Sequence, residues 1–115
     1  MKVRLLNSAL MPREGIYKTK RINKHQFCEI LINAHREGNL DSYIGYQDNL
    51  ELIKKWTGIT LLFNRGTTSI EDGDILLIMK LNKRMGDPTL KGKVQFCEED
   101  FEFFLAEYAE YKEDV

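Results

Sequence analysis

The chain has 115 residues, which suits one domain, and its 43% hydrophobic content can bury a core without disulfide staples. Its 17 basic and 18 acidic residues nearly cancel, so no global field is available to hold a nucleic-acid duplex or a membrane surface by charge alone. Any anionic ligand is therefore expected to be small and held locally.

Val3, Leu5 and Leu6 predict a short buried strand between Met1 and Asn7, ending at Asn7-Ser8. Pro12 and Gly15 make the following stretch a loop. From Gly15 to Ile22 the residues alternate, with Ile16, Lys18, Lys20 and Ile22 on one side and Tyr17, Thr19 and Arg21 on the other. This pattern fits a strand with a wet face near a sheet edge. Asn23 and Gln26 have the spacing of a capping box, and Phe27, Ile30, Leu31 and Ala34 form a helical stripe that runs to about His35, with Gly38 as terminator.

A short apolar run then enters Gly45, and a helical pattern carrying Leu50, Ile53 and Trp56 leaves it, to be ended by Thr57-Gly58. The first-turn N–H groups of a helix lack intrahelical partners and sit at the positive end of the peptide dipoles, so an anion can dock there. Gly45 allows close approach, and Tyr46, Gln47 and Asn49 supply polar side chains at the rim. The alternative is an ordinary helix capped by Asp48 or Asn49.

Residues 59–63 are β-branched and apolar enough for a further strand before a turn at Asn64-Arg65-Gly66, and Glu71 to Asp74 is a second turn. Ile75 to Met79 is an uninterrupted apolar run, as expected of a central strand covered on both faces. Lys80, Asn82 and Arg84 would project from one face of its continuation, a second place for anion chemistry unless they form only a solvated strand end. Gly86-Asp87-Pro88 closes that strand. Near the C-terminus, Glu98-Glu99-Asp100 reads as an acidic helix start, whereas Phe101, Phe103 and Leu105 alternate as in a strand, and the two readings stay open. Lys112 to Val115 is a charged tail expected to fray.

The commonest phosphate-loop, dinucleotide, serine-hydrolase and zinc-protease motifs are absent from the chain. His25 and His35 stand about 80° apart around their helix, so a shared metal is not expected. Cys28 and Cys97 are too distant in sequence for a metal knuckle and read as buried thiols in a reducing compartment. No apolar run is long enough to span a bilayer and no signal peptide precedes the first strand, so the expected location is the cytoplasm.

The order Leu6-Asn7-Ser8-Ala9, Ile44-Gly45-Tyr46 before a helix, Leu52-Ile53 through Gly58, Asn64-Arg65, and a long apolar strand leading to Lys83-Arg84 resembles the small viral ring nuclease family of type III anti-CRISPR proteins. The similarity covers nearly the whole chain, less well in the first loop and around Asp87 to Val94. It implies an α/β (α+β) chain, a mixed sheet of about five strands flanked by two main helices. It also implies a homodimer, or a higher oligomer, that binds cyclic tetra-adenylate or another nucleotide-derived second messenger across the dimer axis. No metal or other cofactor is implied.

Carried onto this sequence, Asn7, Arg65 and Arg84 match ligand-contacting or charge-stabilising positions, and Asp87 stands where the family has Glu. Ser8, Gly45, Gln47, Lys80 and Asn82 complete the expected ligand-binding set. Tyr46 occupies the position of the family's general acid, a His. An unperturbed tyrosine, with a pKa near 10, is a far weaker acid, and losing such a group costs about 10² to 10⁴ in rate. The resemblance therefore implies binding more firmly than cleavage. The expected function is an anti-defence sponge, with an active metal-independent ring nuclease as the alternative. A second alternative is a protein-interaction module built on Phe101, Phe103, Phe104, Tyr108 and Tyr111.

Overall fold

A computed structural model of the chain describes residues 2–7, 14–62, 64, 70–82 and 98–110. Five strands and two helices follow in the order β1 (Val3–Leu6), β2 (Ile16–Ile22), α1 (Lys24–Glu37), β3 (Leu40–Tyr43), α2 (Gln47–Thr57), β4 (Ile75–Leu81) and β5 (Phe101–Ala109). The strands form one mixed sheet in the order β2-β5-β4-β1-β3. β1 runs parallel to both β3 and β4, while β5 is antiparallel to β4 and β2. The α+β architecture thus agrees with the sequence reading, as does β2 at a sheet edge.

Alternation along the strands divides the sheet into two faces. Val3, Leu5, Leu77, Met79, Phe101 and Phe103 pack with Phe27, Leu31, Leu50 and Ile53, so both helices lie on the same face. Leu6, Leu76, Ile78, Ala106 and Tyr108 form a second cluster on the other face, joined by Ile70. Ile59 and Leu61, after α2, pack against the first cluster. Leu5, Leu76 and Leu77 are wholly buried, and each such side chain contributes roughly 1.5–3 kcal/mol by leaving water.

Local chemistry explains the helix ends. The Asn23 side chain accepts from the Gln26 N–H at 2.8 Å and the Gln26 side chain accepts from the Asn23 N–H at 3.0 Å, closing the capping box. Gly38 ends α1 and Gly58 ends α2, both in the left-handed conformation that favours glycine. α2 crosses the sheet: it starts beyond β3 at one edge, and its Trp56 reaches Phe103 of β5, ring centroids 5.9 Å apart.

Two expectations change, and one open reading is decided. Residues 59–62 form no strand; they follow α2 directly, and beyond them Asn64 donates to the Ile44 carbonyl at the β3 exit. β4 ends at Leu81, so Asn82 does not continue it. The ambiguous segment after Asp100 is a strand, β5, preceded by a single 3-10 turn at Glu98–Asp100. Its hydrogen bonds to β2 and β4 on both sides outweigh the acidic helix signal.

Candidate functional site

The parallel strands β3, β1 and β4 deliver their carboxyl ends to one end of the sheet. Leu6 stands in register with Tyr43 on one side and Ile78 on the other, so Asn7 emerges between the exit of β3 and the last three residues of β4. From β1 the chain passes through β2 at the far edge and α1 before it forms β3, and it then returns by α2 to the opposite flank of β1 as β4.

The exit of β3 is the most organised part of this end. Ile44 and Gly45 are buried, and Tyr46, half exposed, is the N-cap of α2 with φ −128° and ψ 126°. Its side chain makes no capping hydrogen bond, and neither Asp48 nor Asn49 occupies the cap position. Asp48 instead lies in the first turn, where its charge suits the positive helix end. Gln47 is exposed and Asn49 is buried.

Asn64 fixes this turn from outside. Its backbone N–H donates to the Ile44 carbonyl at 3.0 Å, and its side-chain amide donates to the Ser42 carbonyl at 3.0 Å. The sequence reading assigned the ligand role to Arg65 and left Asn64 as a turn residue. Its bonds run to residues some twenty positions earlier, and no local pattern could have indicated them.

Lys80 is exposed, opposite Glu102 in register, and its parity with Leu76 and Ile78 puts it on the face away from the helices. Asn82 faces the β5 entry: its N–H donates to the Asp100 carbonyl at 2.8 Å and its side chain to the Glu99 carbonyl at 3.4 Å. The structure therefore gathers Asn7, Gly45, Tyr46, Gln47 and Asn64 at the β1 and β3 ends, with Lys80 farther along β4. Ser8, Arg65, Arg84 and Asp87 lie outside the described residues, as does Cys97.

A second polar cluster lies toward the other end of the same strands. Arg4, buried, donates from Nε to Asp74 at 3.1 Å and from Nη1 to Asp41, with Tyr43 at 3.4 Å. Asp74 also accepts from the Lys2 N–H at 3.0 Å and the Glu71 N–H at 2.8 Å. Burial alone would raise the Asp74 carboxyl, but these two backbone donors and Arg4 outweigh it and hold it below the ordinary 3.8. Burial likewise disfavours the Arg4 cation, and Asp74 reverses the effect, so its pKa is raised. These groups are mutually satisfied, and the cluster ties β1, β3 and the β4 entry together.

Among the described residues, no three of His, Cys, Asp and Glu converge as metal ligands, and no helix is long and apolar enough to cross a membrane. His25 and His35 are exposed and Cys28 is buried, its thiol pushed up by burial. Phe101, Phe103 and Tyr108 are core residues and Phe104 is half buried, while Tyr111 lies outside the described residues.

No curated protein sequence matches the chain. Among solved structures, B116 of Sulfolobus turreted icosahedral virus superposes with a TM-score of 0.75 over 92% of this chain and 98% of its own, at 22% identity. That likeness shows a shared fold. The STIV B116-like family model matches residues 3–108, from the first strand through Tyr108 of the last, and the chain belongs to that family.

Proposed function

We propose that the protein is an anti-defence sponge: two copies enclose a cyclic, nucleotide-derived second messenger and hold it without cleaving it. The observation that carries this reading is the α2 start, where buried Gly45 and exposed Tyr46 lead into a helix N-terminus with no side-chain cap, beside Asn7 at the reversal of strand order. Backbone N–H groups at such an end suit a phosphate. Asn64 would keep the turn in shape while Arg65, Lys80 and Arg84 supply charge and Ser8, Gln47 and Asn82 supply hydrogen bonds. Tyr46 at the position where the resemblance implies a histidine acid favours retention over turnover, because a phenol is a poorer general acid than an imidazolium.

The test is a thermal-shift screen over cyclic oligoadenylates, cyclic dinucleotides and cyclic ADP-ribose isomers, followed by denaturation and chromatography of the released ligand. Stabilisation with the ligand recovered intact is the expected result. Linear fragments would instead establish the ring-nuclease alternative, in which Arg84 and in-line geometry at the ribose 2′-OH act without a strong acid and Asp87 serves in place of Glu.

A further inference from the structure

The edge opposite the candidate site carries a different set of features. β2 is the last strand of the sheet, and the burial along Ile16–Ile22 leaves most of it open to solvent. An edge strand turns alternate N–H and C=O groups outward. Its sequence contributes Lys18, Lys20 and Arg21 and no acidic residue; among the described residues these three cations form no ion pair. Ile16 is 57% exposed, and beside it lies a hollow of about 460 Å³ lined by Lys18, Gly73, Ile75, Glu107 and Tyr108, with Glu107 opposite Lys18 in register.

The start of this edge is held in place. The Tyr108 hydroxyl donates to the Glu14 carbonyl at 2.8 Å, and Tyr17 lies against the Tyr108 ring at 5.1 Å. Gly15 packs so closely under that ring that a Cβ would overlap it. A partner would therefore meet a strand that is already ordered, which reduces the entropy lost on docking.

We infer that β2 is a docking edge for an extended acidic peptide segment of another protein, which adds as a sixth strand and seats one large apolar side chain in the hollow beside Ile16. Main-chain hydrogen bonds along the edge supply affinity and the side-chain pattern supplies specificity, as in strand addition generally. Glutamate or aspartate at alternating positions would meet Lys18 and Lys20. A second copy paired antiparallel about Thr19 would set Lys18 against Lys20. Nucleic acid could answer the cations, but it leaves both the outward backbone groups and the apolar hollow unmatched. This edge lies across the sheet from the α2 start, and the inference does not depend on the nucleotide reading.

The probe is a fluorescein-labelled nine-residue peptide of alternating glutamate and valine with one terminal leucine, titrated by anisotropy with the full-length protein at low salt. Saturable binding below about 1 mM is expected. At least a tenfold loss is expected with Lys18→Glu/Lys20→Glu, with Ile16→Asp, and with a peptide N-methylated at alternate residues. The N-methylated peptide leaves the protein untouched, so a folding defect in either variant cannot account for its loss. No saturation, equal binding of the N-methylated peptide, or displacement by an equally charged oligothymidylate at lower concentration than the unlabelled peptide would each overturn the inference.

Discussion

Asn64 donates its side-chain amide to the carbonyl of Ser42 at 3.0 Å, tying the chain beyond α2 to the strand that precedes it. With the backbone bond from Asn64 to Ile44, this clasp holds the turn in which Gly45 and Tyr46 approach the helix. Asn64→Ala leaves the Ser42 carbonyl without that donor. We expect a loss of about 1–2 kcal/mol, read as a lower urea midpoint with an unchanged slope. If the turn binds a messenger, the same variant weakens binding at temperatures where it is still folded, a loss that instability alone does not produce.

The buried Arg4–Asp74 pair predicts an acid dependence. The Asp74 carboxyl is depressed in the folded state, so it binds its proton more weakly there than in the unfolded chain. Its contribution is fully present above the unfolded value of about 3.9 and is lost as pH falls through the lower folded value. Asp74→Asn removes the charge facing buried Arg4 and is expected to cost about 3 kcal/mol at neutral pH. Urea titrations from neutral pH down to strong acid should show the gap between wild type and variant narrowing below about pH 4.

Gly15 and Tyr108 predict a steric effect. A methyl group at Gly15 meets both the Tyr108 ring and the Ala109 carbonyl, which belongs to the backbone and cannot move aside cheaply. Gly15→Ala is expected to destabilise by about 1–3 kcal/mol. Tyr108→Phe, which loses the hydroxyl bond to Glu14, should cost about 1 kcal/mol by the same denaturant assay.

The sequence revealed those parts of the molecule whose causes are local. The Asn23–Gln26 capping box, the glycine stops at Gly38 and Gly58, and the doubly covered run of β4 are each written within a few residues. The Phe101 segment was ambiguous because its acidic start and its alternation are both local signals, and only pairing with β2 and β4 decides between them. Residues 59–62 have strand-like composition but take no place in the described sheet. Tyr46 as N-cap was hidden because better capping residues, Asp48 and Asn49, follow immediately. The clasp of Asn64 on Ser42 and Ile44 is a purely tertiary fact.

Tyr46 gives the sharpest chemical prediction. If the α2 start holds a cyclic oligonucleotide and lacks only a proton donor, Tyr46→His should supply one. Cleavage of cyclic tetra-adenylate in EDTA is expected to accelerate by about 10² to 10⁴ over wild type, followed by chromatography of linear products. An exposed N-cap position should accept the change with little cost to folding.

Native mass spectrometry of the wild-type protein with cyclic tetra-adenylate tests the sponge directly. The account predicts a species of two chains and one ligand, and after prolonged incubation and denaturation the released ligand still co-elutes with the closed ring on chromatography. A ligand-free single chain at saturating nucleotide, or a released ligand that elutes as the linear 2′,3′-cyclic phosphate isomer or as half-mass dinucleotides, would contradict it.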